Sequence, residues 1–135
     1  GDVHIQNLGL ERAGRISPLK SALEAGLLFT LHQDSPVIPP DMLETVWCAS
    51  VRKTRGGILL GAEERIPVYE ALKAVTCNGA YQYFEENRKG TIAPGKLADF
   101  VILDGNPLET EPEALRGIQV LETIKEGKSV YRKEV

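Results

Sequence analysis

The run LLFTLH at residues 27–32 constrains this chain more than any other stretch. It is apolar almost throughout, then closes on Gln33 and Asp34 and breaks into prolines at 36, 39 and 40. A short continuous apolar run bounded by turn residues fits a strand buried on both faces, as in a parallel sheet. The segment before it, SPLKSALEAG, reads as a helix: Ser17 suits the N-cap, Pro18 the first turn, and Gly26 follows the end. Leu19, Ala22 and Leu23 would form its buried face. Helix, short turn and apolar strand is the alternation of α/β proteins.

Further along, DMLETVWCASVRKT carries Met42, Val46 and Ala49 on one helical face, with Asp41 placed to cap. RGGILLG is a glycine-punctuated loop. From Pro67 the spacing of Val68, Leu72 and Val75 predicts a helix ending near Thr76, and a second follows, with Ala80, Tyr83 and Phe84 continuing an apolar face. After Gly90 the texture becomes one of short strands between Pro-Gly and Asn-Pro turns, closed by a hairpin around Glu126-Gly127. Residues 1–16 show no clear period. The expected organisation is a helical segment over residues 1–89 and a β-rich segment over 90–135.

At 135 residues the chain is long enough for a real core. A net charge of -3 gives no basic footprint for nucleic acid. No apolar run approaches the roughly 20 residues of a membrane helix, and the first residues lack the order of a signal peptide. Cys48 and Cys77 read as reduced core thiols in helices, which suits the cytoplasm. The glycines at 56, 57 and 61 lack the lysine and hydroxyl of a phosphate loop, and neither Ser35 nor Ser50 sits in a nucleophile elbow.

His32 and Asp34 are the candidate site residues. In parallel α/β barrels active sites gather at the carboxyl ends of strands, and residues two apart on a strand share a side. A carboxylate there is placed to bind a metal or take a proton. The same Asp before Ser-Pro also suits a turn cap. Spacing alone leaves the two roles open, and one His with one Asp falls short of the three or four ligands a metal centre uses.

Several longer stretches together resemble the amidohydrolase superfamily. LERAGRISPLKSALEAGLLFTLHQDSPVIPPDML is similar to the end of the catalytic barrel in the amidohydrolase 3, or YtcJ-like, group of metal-dependent hydrolases. YEALKAVTCNGAYQYFEENRKGTIAPGKLADFVILDGNPL resembles the helical passage that follows, and GTIAPGKLADFVILD the re-entry into a small β-sandwich. The resemblance implies an α/β fold fragment, the last strand and helices of a (β/α)8 barrel followed by strands of the accessory sandwich, or an α+β unit in isolation. It implies that Asp34 ends the eighth strand, binds a catalytic divalent metal, expected to be zinc, and handles the proton of the attacking water. His32, and His4 in a Gly-Asp-x-His stretch, become candidate residues of the substrate pocket.

The family's His-x-His pair is absent from these 135 residues, as is most of a barrel of about 250 residues. The chain is therefore expected to be the C-terminal piece of a hydrolase acting on amide or formamide C–N bonds, inactive alone and binding no metal tightly. The alternative is a non-catalytic module, in line with relatives called exoenzyme regulatory proteins. An uncovered apolar strand further predicts self-association.

Overall fold

Asp41 starts the helix that supplies most of the core cluster. In a computed structural model that describes residues 1–134, its carboxylate accepts the backbone N–H groups of Leu43 at 2.9 Å and Glu44 at 3.1 Å. Such a cap is worth about 1 kcal/mol relative to alanine. The helix it begins is the third in the chain, after α1 (Asp2–Gly14) and α2 (Leu19–Glu24); α3 runs Met42–Val51. Val46, Trp47, Ala49 and Val51 are buried and join Ile66, Ala71 and Leu115 in one core cluster. Met42, at the end of the predicted face, is exposed.

Two more helices follow, α4 (Val68–Val75) and α5 (Cys77–Gln82), divided at Thr76 as the sequence predicts. Val68, Leu72 and Val75 pack against the core while Ala71 and Ala74 are fully inside. The small residues let α4 approach α3 closely, so the larger stripe lies at the flank of the contact. Tyr83 and Phe84 depart from expectation: they lie past the end of α5 and stand 72% and 89% exposed. Their apolar face has lost the helix that would carry it inward.

Residues 27–32 form no ladder, contrary to the expected buried strand. A strand is defined by the backbone row beside it, and among the described residues no strand lies alongside. The segment is held instead by single bonds: Leu31 N–H donates to the Ala74 carbonyl at 3.3 Å, and the Asn78 side-chain amide donates to the Phe29 carbonyl at 2.9 Å. Phe29 and Leu31 reach the core, whereas Leu27 and Leu28 are more than half exposed.

The last third holds three strands, β1 (Phe100–Leu103), β2 (Val120–Lys125) and β3 (Lys128–Arg132), in an antiparallel sheet of that order. Glu126 and Gly127 form the hairpin turn with φ of 50° and 76°, the positive values that match the twist of the flanking strands. A 3-10 turn at Pro112–Gly117 ties this region to α3: Leu115 is completely buried in the core, and the Arg116 guanidinium lies 4.6 Å from the Trp47 ring centroid. No described helix is long and apolar enough to cross a membrane.

Candidate functional site

The chain carries the residues around Asp34 off the core and across the first turn of α3. Gln33 points inward and is buried, whereas His32 and Asp34 on either side of it are exposed. The two candidate residues are thus both solvent-accessible, but the backbone here is not a strand and turns at Asp34, so the alternation of a strand does not relate them. Asp34 begins a turn closed by the Val37 N–H on the Asp34 carbonyl at 2.9 Å. Its own φ is 54°, in the left-handed region that Asp tolerates better than most residues.

Asp34 and His32 are joined through the backbone: the Asp34 N–H donates to His32 Nδ1 at 3.0 Å. That bond uses the Nδ1 lone pair, so the neutral ring carries its proton on Nε2. In this arrangement Nε2 offers a hydrogen-bond donor and not a lone pair for a metal. The only metal-ligating group the turn presents is thus the Asp34 carboxylate. Among the described residues no three His, Cys, Asp or Glu side chains converge on a point. The donors present fit one corner of a metal centre and do not complete it.

Beside the turn lies a cleft of about 250 Å³ whose wall includes His32, Leu31, Thr45, Cys48, Arg52 and Lys53. His32 is the one candidate residue it takes in; Asp34 and His4 lie outside its lining. His4 is exposed on α1, a helix missed in the sequence because it buries only Ala13 and bends at Gly9, where φ is 76° and ψ 159°. The expectation that Cys48 and Cys77 are core thiols also fails. Cys48 is exposed at the cleft wall and Cys77 is half-buried at the start of α5.

One residue that shapes the cleft gave no signal in the sequence. Arg52 ends α3 at φ 57°, and its guanidinium donates to the carbonyls of Ile16 at 2.8 Å, Ser17 at 2.9 Å and Leu60 at 2.9 Å. Burial lowers its pKa, opposed by the charges of Glu64 and Glu63. It fastens the chain between α1 and α2 to the C-terminal end of α3. Only the fold reveals that Arg52 is a clamp.

Comparison with known proteins adds a second line of observation. The sequence profile described as the amidohydrolase family matches residues 1–131. The amidohydrolase-type protein YtcJ of Bacillus subtilis is 33% identical over 132 residues, covering 96% of this chain and 25% of that protein. An N-substituted formamide deformylase of Arthrobacter pascens is 32% identical over 119 residues, 88% of this chain and 22% of its own length. The crystal structure of an amidohydrolase from Thermotoga maritima superposes with a TM-score of 0.62 at 27% identity, covering 82% of this chain and 24% of that one. The chain spans about a quarter of the length of the relatives it matches.

Proposed function

The chain belongs to the amidohydrolase family, and we propose that it is the C-terminal section of a metal-dependent hydrolase that cleaves a C–N bond in a small amide or formamide. The observation that carries this is the turn at Asp34, an exposed carboxylate delivered by an apolar segment that no described strand pairs with. Its backbone is held by His32. A deformylase among the relatives supports the bond type. In this reading the remaining metal ligands come from sequence outside these residues, because this chain supplies a single metal-ligating group at the turn.

A divalent metal, zinc in this proposal, lowers the pKa of a water when bound and so makes it a nucleophile near neutral pH. Asp34 would help hold that metal together with ligands from outside these residues, and its carboxylate would serve as the general base that takes a proton from the water attacking the carbonyl carbon. As the C–N bond breaks, Asp34 would return that proton to the departing nitrogen. The donor at His32 Nε2 is suited to hold the substrate's carbonyl oxygen. His4 is exposed on α1 and, like Asp34, lies outside the cleft; this scheme assigns it no step.

The reading is tested by the genomic sequence upstream of Gly1 and by hydrolysis. The reading frame is expected to encode a His-x-His pair and further histidines. The extended polypeptide should cleave N-substituted formamides or related amides, and Asp34→Asn should reduce that rate at least about 100-fold, the low end for losing a general base. The 135 residues alone, supplied with zinc, should leave these substrates intact. Metal-dependent hydrolysis by the isolated chain would overturn the division of the site. An upstream frame without metal-ligating histidines would favour a non-catalytic module built on the same fold.

A further inference from the structure

Gln33 stands between the two exposed candidate residues and is itself only 8% exposed. Its side-chain amide donates to the Asp41 carbonyl at 2.8 Å and to the Thr45 hydroxyl oxygen. The Thr45 hydroxyl in turn donates to the same Asp41 carbonyl at 3.1 Å. The three groups close a triangle on the first turn of α3, the helix that supplies four members of the core cluster. We propose that Gln33 and Thr45 form a latch that sets the position of the His32–Asp34 turn, which makes Gln33 a positioning residue for the Asp34 carboxylate.

The argument is geometric. Asp34 lies one peptide unit, about 3.8 Å between Cα atoms, from the latched residue. Its φ of 54° is unfavourable for a side-chain-bearing residue and persists where the surroundings over-determine it. The backbone bond to His32 spans Gln33 and does not by itself relate the turn to the core, so it persists only while Gln33 is held in place. Gln33 supplies that relation, because a site residue is placed most accurately when referred to a rigid element. Glutamate could not replace it, since its charged oxygens would face the Asp41 carbonyl, an acceptor. The catalytic meaning of the latch rests on the hydrolase reading above, while its existence does not.

Amide hydrogen exchange in this chain tests the latch. In Gln33→Met and Thr45→Val, the Asp34 N–H should exchange about fivefold faster, while the Val46 N–H inside α3 stays at the wild-type rate. Thr45→Ser keeps the hydroxyl and should leave both amides unchanged. The latch is wrong if Gln33→Met leaves Asp34 exchange unaltered, or if Thr45→Ser behaves like Thr45→Val. Acceleration of Asp34 and Val46 together would make Gln33 a general stabilising residue and equally defeat the proposal. None of these outcomes depends on hydrolysis, so failure of the latch and failure of the proposed activity are distinguishable.

Discussion

The backbone N–H of Asp34 donates to Nδ1 of His32 across 3.0 Å, and both side chains are exposed. The bond separates two roles that sequence spacing could not. His32 becomes a donor at Nε2, and Asp34 becomes the carboxylate available for a metal or a proton. The Asp34 side chain is not needed to close its own turn, because that closure is a backbone bond from Val37.

Replacing Asp34 should therefore be cheap for the fold. Asp34→Gly removes the side chain and relieves the φ of 54°, so stability should change by less than about 1 kcal/mol, toward stabilisation. Urea unfolding followed by Trp47 fluorescence measures it. A loss above about 2 kcal/mol, in the range of a lost cap, would return Asp34 to the role of a turn residue.

Gly61 should not tolerate a side chain. Its φ is 62°, and an added Cβ would lie 2.1 Å from the Gly14 carbonyl oxygen, a backbone atom with little freedom to withdraw. Gly61→Ala is expected to cost about 2–4 kcal/mol through backbone strain and overpacking. A cost below about 0.5 kcal/mol, the scatter of ordinary surface substitutions, would mean that α1 and the loop are not packed together in solution.

Glu64 provides the pH dependence. Its carboxylate accepts from the Ser21 hydroxyl and from the Ser21 N–H at 2.9 Å, and these bonds, the hydroxyl first, hold its pKa below the ordinary glutamate value. A lowered folded pKa contributes stability above the unfolded value, and that contribution disappears as pH falls through the folded one. Glu64→Gln should thus have the lower melting temperature at neutral pH, with the gap closing in acid. A gap that is constant across the titration would remove the charge from the explanation.

That same pair shows where reading the sequence stopped. Ser17 looks like the cap of α2, yet it adopts φ 47° and the first turn of α2 is served by Glu64, 43 residues from Ser21. Elements set by neighbours in sequence were legible: Asp41 before α3, the break at Thr76, and the hairpin at Glu126-Gly127. Those set by distant partners were not, as with the Arg52 clamp and the exposed Phe84. The apolar run at 27–32 suggests a buried strand, but no ladder forms there, because a ladder needs a second backbone alongside and no described strand provides one. Asp34 was legible as a candidate because a carboxylate after such a run is conspicuous. Its linkage to His32, and its anchoring through Gln33, arise from the folded backbone and leave no pattern in the sequence.

Leu27 and Leu28 are 61% and 57% exposed on a segment that forms no ladder. We expect isolated chains to pair there, with dimers or larger species at high micromolar concentration in sedimentation experiments. A lysine in place of Leu28 should shift the distribution toward monomer. A strictly monomeric wild type would count against this pairing.

The metal content of the upstream-extended polypeptide tests the central claim most directly, measured with Asp34 intact and as Asp34→Asn under the same loading with zinc. The account predicts bound metal in the first and an affinity at least about 10-fold weaker in the second, the lower end of the loss seen when even a supporting partner of a metal ligand is removed. Equal metal content and equal affinity in the two proteins would contradict it, and would leave Asp34 as an exposed turn residue with no part in a metal centre.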